Sequence, residues 1–98
     1  MLKDFRLYRV AIRFYQLCKP LDLPTDSKDQ LLRAASSIGR NLGEGYGRVL
    51  PRDKKRFYRI ALGSVRECTT VFEQECVRDV VLRDLADFLG GGLWKLVR

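Results

Sequence analysis

The sequence predicts an all-α protein, an antiparallel up-down four-helix bundle, and three observations support that prediction. Apolar residues recur with the helical period of about 3.6 in four separate segments. No segment alternates apolar and polar residues over a useful length, as a β-strand would. The connections between the segments are short, so consecutive helices should lie antiparallel to one another. The 98 residues, 46% of them hydrophobic, suffice for one small domain, residues 1–98, with a single core.

The first predicted helix, Leu2 to Lys19, has an unusually wide apolar side. It consists of two adjacent rows of residues, Leu7, Ala11, Phe14 and Cys18 in one and Phe5, Tyr8, Ile12 and Tyr15 in the other. Together the rows span about half of the helix circumference, which is more than one partner helix can cover. Either this helix lies deep within its own bundle, or one row contacts another subunit.

The second predicted helix follows the connection around Pro20 and runs to about Glu44. The residues that follow Pro24 are favourable N-caps, namely Thr25, Asp26 and Ser27. Gly45 and Gly47 are expected to end the helix, as glycines at a helix C-terminus commonly do.

A row of small residues runs along this second helix. Ala35, Gly39 and Gly43 are four positions apart and therefore lie on one side. Glycine in a helix interior costs about 0.5–1 kcal/mol relative to alanine, so the row needs a physical reason. Close packing of a neighbouring helix is one explanation, and a flexible hinge is the alternative.

The third helix is predicted from about Asp53 to Glu75, after a turn that contains Pro51. Ser64 interrupts its apolar side. The hydroxyl of Ser64 either bonds the carbonyl one turn back or belongs to a polar cluster between the second and third helices. The members of that predicted cluster are Ser37, Asn41, Glu44, Ser64 and Glu67.

The fourth helix is predicted to begin after a weakly marked turn near Arg78 to Val80. The run Gly90 to Gly92 would normally stop a helix. However, Leu82, Leu89 and Leu96 keep a spacing of seven across the run, which favours a continuous helix. The alternative is a helix that ends at Leu89, followed by a loose tail with Trp94.

The composition argues against several classes of function. The chain contains no histidine, its three cysteines form no CxxC motif, and no catalytic constellation is apparent. The sequence therefore predicts a non-enzymatic protein with no metal, no cofactor and no catalytic residue. No apolar run reaches the roughly 18 residues of a membrane span, and the N-terminus lacks a signal-peptide core, so a cytoplasmic location is expected.

The strongest functional signal is positive charge. The net charge is +7, and cations are dense at the start of the third helix and along one side of it. The candidate nucleic-acid-binding residues are Arg48, Arg52, Lys54, Lys55, Arg56, Arg59 and Arg66. Cations neutralise phosphates, and the nearby rings of Tyr46 and Tyr58 could stack on unpaired bases. The pattern favours an oligomeric nucleic-acid-binding protein, with RNA the expected ligand; the alternative is a basic face that only keeps the protein soluble.

Two stretches also carry a family resemblance. SIGRNLGEGYGR spans Ser37 to Arg48 and FYRIALGSVRE spans Phe57 to Glu67. Together they resemble the bacterial four-helix-bundle proteins that are encoded in intervening sequences of large-subunit ribosomal RNA genes. Gly43 departs from the family pattern, which usually has alanine at this position, and the run Gly90 to Gly92 is a second departure.

The resemblance implies a four-helix protomer that assembles as a homopentamer. Related proteins are accessory factors of diversity-generating retroelements, where they engage a reverse transcriptase and nucleic acid. The resemblance therefore leaves a second functional hypothesis open, a protein-interaction adaptor with a reverse transcriptase as partner. The family has no established catalytic residues, and none are transferred to this chain.

Overall fold

The computed structural model describes residues Met1–Arg98, which form a short 3₁₀ turn and four α-helices. The 3₁₀ turn spans Leu2–Asp4, and the helices are α1 (Arg6–Cys18), α2 (Thr25–Tyr46), α3 (Pro51–Gln74) and α4 (Val80–Val97). Each helix packs against the next, and α1 also packs against α4. The chain contains no strand. The predicted all-α four-helix bundle is therefore confirmed.

One hydrophobic core lies along the axis of the bundle. It contains 22 buried hydrophobic residues, which come from all four helices and from the α3–α4 connection. At its centre, the rings of Phe14 and Phe72 meet edge to face with their centroids 6.1 Å apart. The first predicted apolar row of α1 is buried in this core, whereas the second row is only partly covered.

Both helices of the N-terminal half begin differently from the prediction. α1 starts at Arg6 because Phe5 has an extended backbone. α2 has Pro24 at its N-cap position and no side-chain cap, so the predicted capping by Thr25, Asp26 or Ser27 is wrong. The hydroxyl of Ser27 instead donates a hydrogen bond of 2.6 Å to the carboxylate of Glu75, beyond the end of α3.

The end of α2 also differs, because Gly45 lies inside the helix and Tyr46 is its last residue. No glycine in the chain has a positive φ. A Cβ atom at Gly45 would lie 2.6 Å from the ring of Tyr58, so this glycine serves a close helix contact. α3 begins at Pro51 rather than Asp53, since proline suits the first turn of a helix, where its missing N–H is not needed.

α4 continues through Gly90 to Gly92, which confirms the predicted continuous helix. Gly92 is required at this position by α1, because a Cβ atom there would lie 2.6 Å from Cδ2 of Leu7. Asp79 caps the start of α4 by accepting a hydrogen bond of 3.0 Å from the backbone N–H of Leu82. None of the four helices combines the length and the hydropathy needed to cross a membrane.

Candidate nucleic-acid interface on α3

The seven candidate cations lie on α3 or in the turn that precedes it. Five of them line one side of the helix, because their spacings of three, four and seven residues match the helical repeat. We call this set the cationic row: Arg52, Lys55, Arg56, Arg59 and Arg66. The last residue of the row lies 14 positions after the first, a rise of about 21 Å along the helix axis.

The cations of this row have no carboxylate partner. The chain contains two ion pairs, Met1 with Asp4 and Arg48 with Glu44, and neither includes a residue of the row. Arg52, Arg59 and Arg66 are exposed. The row is therefore a strip of uncompensated positive charge, open to an anionic partner.

The two remaining candidates are engaged inside the chain. The ammonium group of Lys54 donates hydrogen bonds to the backbone carbonyls of Gly45, at 3.3 Å, and Tyr46, at 2.8 Å. Lys54 thus satisfies the carbonyl of Tyr46 and adds a second bond to that of Gly45, which also accepts from the backbone N–H of Arg48. The dipole of α2 likewise favours a cation at this end of the helix. Arg48 pairs with Glu44 at 3.2 Å. The ion pair of Arg48 is exposed to solvent, with 47% of the Arg48 side chain accessible, so a phosphate contact by either residue stays a prediction.

The aromatic rings near the row are also occupied. Phe57 lies under the guanidinium groups of Arg48 and Arg56, at 4.7 and 5.4 Å from its ring centroid. Tyr58 is buried with 6% of its surface exposed, and this burial raises the pKa of its phenol. Tyr46 stacks on Phe5 with a centroid distance of 5.3 Å. The buried ring of Tyr58 is therefore closed to an unpaired base, whereas stacking on Tyr46, which is 38% exposed, stays a prediction.

The polar contact between α2 and α3 is smaller than the predicted cluster. Ser64, with 4% of its surface exposed, donates a hydrogen bond of 2.9 Å to the hydroxyl of Ser37. The amide of Asn41 donates to the carbonyl and the hydroxyl of Ser37, at 2.9 and 3.0 Å. Glu44 bonds Arg48 instead, and the exposed Glu67 makes no hydrogen bond or ion pair. Within this contact, the bond from Ser64 to Ser37 is the one that joins α2 to α3.

Two features escaped the sequence prediction. The first is a groove of about 770 Å³ between α1 and α2, whose floor includes Ala11, Ala35 and Gly39 and whose wall includes Tyr8 and Ile12. A Cβ atom at Gly39 would lie 3.2 Å from Cδ1 of Ile12, so Gly39 serves close packing, as predicted, whereas a Cβ atom at Gly43 would make an ordinary contact with the ring of Tyr8, at 3.6 Å. The second feature is the position of Gly63 within the cationic row. Its signal was present in the sequence, four residues after Arg59 and three before Arg66.

The two stretches that carry the family resemblance meet in this structure, at the contact of Ser37 with Ser64 and of Gly45 with Tyr58. The family model of the 23S rRNA-intervening sequence protein matches residues 6–81. The chain belongs to this family. No curated protein and no solved structure matches the chain.

The match to the 23S rRNA-intervening sequence protein family covers α1, α2, α3 and the first residues of α4. It therefore includes both sides of the groove, the Ser37–Ser64 contact and the whole cationic row. Most of α4, including Gly90 to Gly92, lies beyond the match. This helix is nonetheless part of the shared core, to which it contributes Leu82, Leu89 and Leu93.

Proposed function

We propose that this protein is a non-enzymatic nucleic-acid-binding protein that uses the cationic row of α3, with RNA as its ligand. The observation that supports the proposal is the alignment of five cations along one side of α3 with no carboxylate partner among them. Each cation that contacts a phosphate releases a condensed counterion, so binding is driven by charge and carries little sequence preference. A cytoplasmic location belongs to the same proposal, in keeping with the free thiols of the three cysteines.

A titration with an RNA hairpin at about 50 and about 200 mM salt tests the proposal, with fluorescence anisotropy as the readout. Contact with four phosphates gives a slope of log K against log salt of about −3.6, four times −0.9, so affinity falls about 100-fold. The double variant Arg59→Gln/Arg66→Gln removes two contacts and should halve that slope.

The matched control is Arg9→Gln/Arg13→Gln, which removes the same charge from exposed positions of α1. This control should keep most of the salt dependence. Salt-independent binding by the wild-type protein, or equal losses in the two double variants, would show that the cationic row is not the binding surface.

We further propose that the protein assembles with copies of itself; the family resemblance implies a homopentamer. The α1–α2 groove is the proposed acceptor, and Arg40 lies at its edge. The outer side of α4 is the proposed insert, because Phe88 and Trp94 are 41% and 54% exposed there, near the exposed Asp84 and Asp87. The apolar groove with its basic edge thus complements an apolar and acidic surface. Since these are two different surfaces of one chain, the contact is heterologous and can close a ring.

The mass in solution, measured by light scattering during gel filtration, tests this assembly. Wild-type protein should have the mass of a closed oligomer, and Ile12→Arg or Trp94→Asp should reduce it to that of a monomer. Ile60→Arg is the control, because Ile60 is 44% exposed but lies on α3, which contributes to neither surface. A monomeric wild-type protein, or oligomers that survive both substitutions, would contradict the proposal.

A protein-interaction adaptor is the second candidate function, and the α2–α3 turn favours it. Val49 and Leu50 present exposed apolar side chains there, at 90% and 48% exposure. Sedimentation of nuclease-treated mixtures with a reverse transcriptase tests this candidate. A complex that Val49→Ser/Leu50→Ser abolishes would support it, whereas a complex that forms only when nucleic acid is present would oppose it.

A further inference from the structure

No contact within the chain requires glycine at position 63. It lies in the interior of α3, where glycine is less favourable than alanine. A Cβ atom at this position would meet nothing within 4 Å. By contrast, Gly45 and Gly92 each accommodate a side chain of a neighbouring helix, at 2.6 Å from the position of a Cβ atom. The bare backbone at Gly63 therefore leaves room for something outside the protomer.

The neighbours of Gly63 indicate what approaches it. Arg59 lies one turn before the glycine and Arg66 one turn after it, on the same side of the helix and both exposed. Neither arginine has a carboxylate partner. An anionic strand that crossed α3 at Gly63 would touch the helix backbone and have a guanidinium group on each side. Arginine suits this position because its planar fork can hold a phosphate with two hydrogen bonds.

The state of the aromatic rings indicates whether that strand is single or paired. Proteins that bind single strands stack unpaired bases on exposed rings, and each such contact contributes to affinity. On α3, Tyr58 is buried and Phe57 is covered by two arginines. Tyr46 is 38% exposed, but it lies at the end of α2, where its ring is stacked on Phe5 and has the ammonium group of Lys54 over it at 5.6 Å. A single strand would leave its bases in water on this surface. A duplex has its bases already stacked and presents sugars and phosphates, which is what the row can contact.

We propose that the cationic row binds the backbone of a nucleic-acid duplex, one strand of which lies across Gly63 between Arg59 and Arg66. The proposal rests on the proposed function and specifies its ligand as double-stranded rather than single-stranded. Double-stranded RNA and double-stranded DNA share this backbone chemistry, and the experiment separates them.

The experiment measures the affinity of three ligands of equal length at one salt concentration: an RNA duplex, a DNA duplex and an unstructured single-stranded RNA. Five proteins are compared, namely wild type, Gly63→Gln, Gly91→Gln, Trp94→Asp and Arg59→Gln/Arg66→Gln. Gly91 is the matched control, because it is also a helical glycine whose Cβ position meets nothing within 4 Å, but it lies on α4. Since Gly91 is one helical turn from Phe88 and from Trp94, on the proposed oligomer contact, Trp94→Asp shows what a loss of assembly alone does to binding. Circular dichroism and the mass in solution show which variants fold and assemble as the wild type does.

Wild-type protein should bind at least one duplex about tenfold more tightly than the single strand. Gly63→Gln adds no charge and removes none, yet it should weaken duplex binding about tenfold, because its side chain holds the strand away from the helix. Gly91→Gln should bind as the wild type does. Preference for the RNA duplex supports the inference together with the proposed RNA ligand. Preference for the DNA duplex supports a duplex across Gly63 but overturns RNA as the ligand in the proposed function.

Three results would overturn the inference, and they are distinguishable. If the single strand binds as tightly as the duplexes, the ligand is not double-stranded. If Gly63→Gln binds normally while Arg59→Gln/Arg66→Gln does not, the row binds nucleic acid but no strand lies across the glycine; the proposed function then stands alone. If no ligand binds to the wild type, the proposed function fails together with the inference.

Discussion

The glycines inside the bundle and those on its outer side have opposite roles. Gly45 and Gly92 lie where helices meet, and a Cβ atom at either would come within 2.6 Å of a neighbouring side chain. Gly63 and Gly91 lie on outward-facing turns of α3 and α4, where a Cβ atom would meet nothing within 4 Å. The role of a helical glycine therefore depends on the group that lies opposite it, either in the same chain or outside the protomer.

The two sides of α3 differ in side-chain chemistry in the same way. The inner side of α3 contributes Cys68, Phe72 and Ser64 to the interior. The outer side has the cationic row, whose five residues lack carboxylate partners. Substitutions inside should therefore change stability, and those outside should change binding or slightly improve the helix.

The largest effect on the free energy of unfolding should come from alkaline pH, which tests how completely the core excludes water. Burial raises the pKa of the Cys18 thiol from 9.0 to about 12, and it raises that of Cys68 in the same direction. The unfolded chain therefore loses these protons near pH 9.0, while the folded protein keeps them. Stability should be unaffected below pH 9.0 and should then fall by about 1.4 kcal/mol per pH unit for each thiol.

Urea unfolding between pH 8 and 10 measures this loss before most tyrosines ionise. The variants Cys18→Ala and Cys68→Ala should be less stable at pH 7 but should show a shallower dependence on pH. Cys76→Ala is the control, because Cys76 is exposed. An unchanged pH dependence in the two variants with a buried thiol removed would mean that the thiols are not the cause.

The next largest effect is expected at Gly45. Gly45→Ala places a methyl group against the ring of Tyr58 and 3.2 Å from the carbonyl oxygen of Lys54. Overpacking costs about 1–3 kcal/mol, and the upper part of that range, about 2–3, applies here because a backbone oxygen as well as a ring would have to move. Better helix propensity returns about 1 kcal/mol, so a net loss of about 1–2 kcal/mol is expected in urea unfolding. The double variant Gly45→Ala/Tyr58→Leu should recover part of the loss. A Gly45→Ala protein as stable as the wild type would remove the distinction between inner and outer glycines.

A smaller effect is expected at the buried hydrogen bond between α2 and α3. Ser64→Ala removes the donor to Ser37, which keeps its bonds from Asn41, so a loss of about 0.5–1.5 kcal/mol is expected in thermal or urea unfolding. Ser36→Ala is the matched control, because the hydroxyl of Ser36 bonds only a carbonyl of its own helix, that of Arg33. Equal losses in the two variants would show that the bond across the helices adds nothing.

The smallest effect is a gain in stability on the outer side. Gly91→Ala should stabilise the protein by about 0.5–1 kcal/mol, since alanine is a better helix former and meets no neighbour. Gly92→Ala, one residue further along the chain, should destabilise it, because the new methyl group would press on Leu7. The thermal midpoints of the two variants should therefore move in opposite directions. If both thermal midpoints moved in the same direction, the distinction between inner and outer glycines would be wrong.

The sequence predicted most of the fold because the bundle is built from periodic apolar rows. The seven-residue spacing of Leu82, Leu89 and Leu96 was strong enough to predict a helix through three glycines. Periodicity could not give the end of α2. The same glycine at position 45 is compatible with a helix cap or with a close contact, and only the ring of Tyr58 in space decides between them.

The candidate site was predicted in part for a similar reason. Helical spacing places Arg52, Arg59 and Arg66 on one side, and the structure has them there. The engagement of Lys54 could not be predicted, because free carbonyls at a helix end exist in every helix and leave no mark in the sequence. The burial of Tyr58 was equally hidden, since it depends on a glycine 13 positions earlier in the chain.

The turn between α3 and α4 offers a site for attaching a fluorescent label. Cys76 is the one exposed thiol, and its backbone has a φ of 54°, which holds it just beyond the end of α3. From Arg52 to Gln74 the helix rises about 33 Å, so a fluorophore attached to Cys76 would be remote from the first cations of α3. Resonance energy transfer between dyes on neighbouring copies would then report the number of assembled subunits in the same sample in which a ligand is titrated.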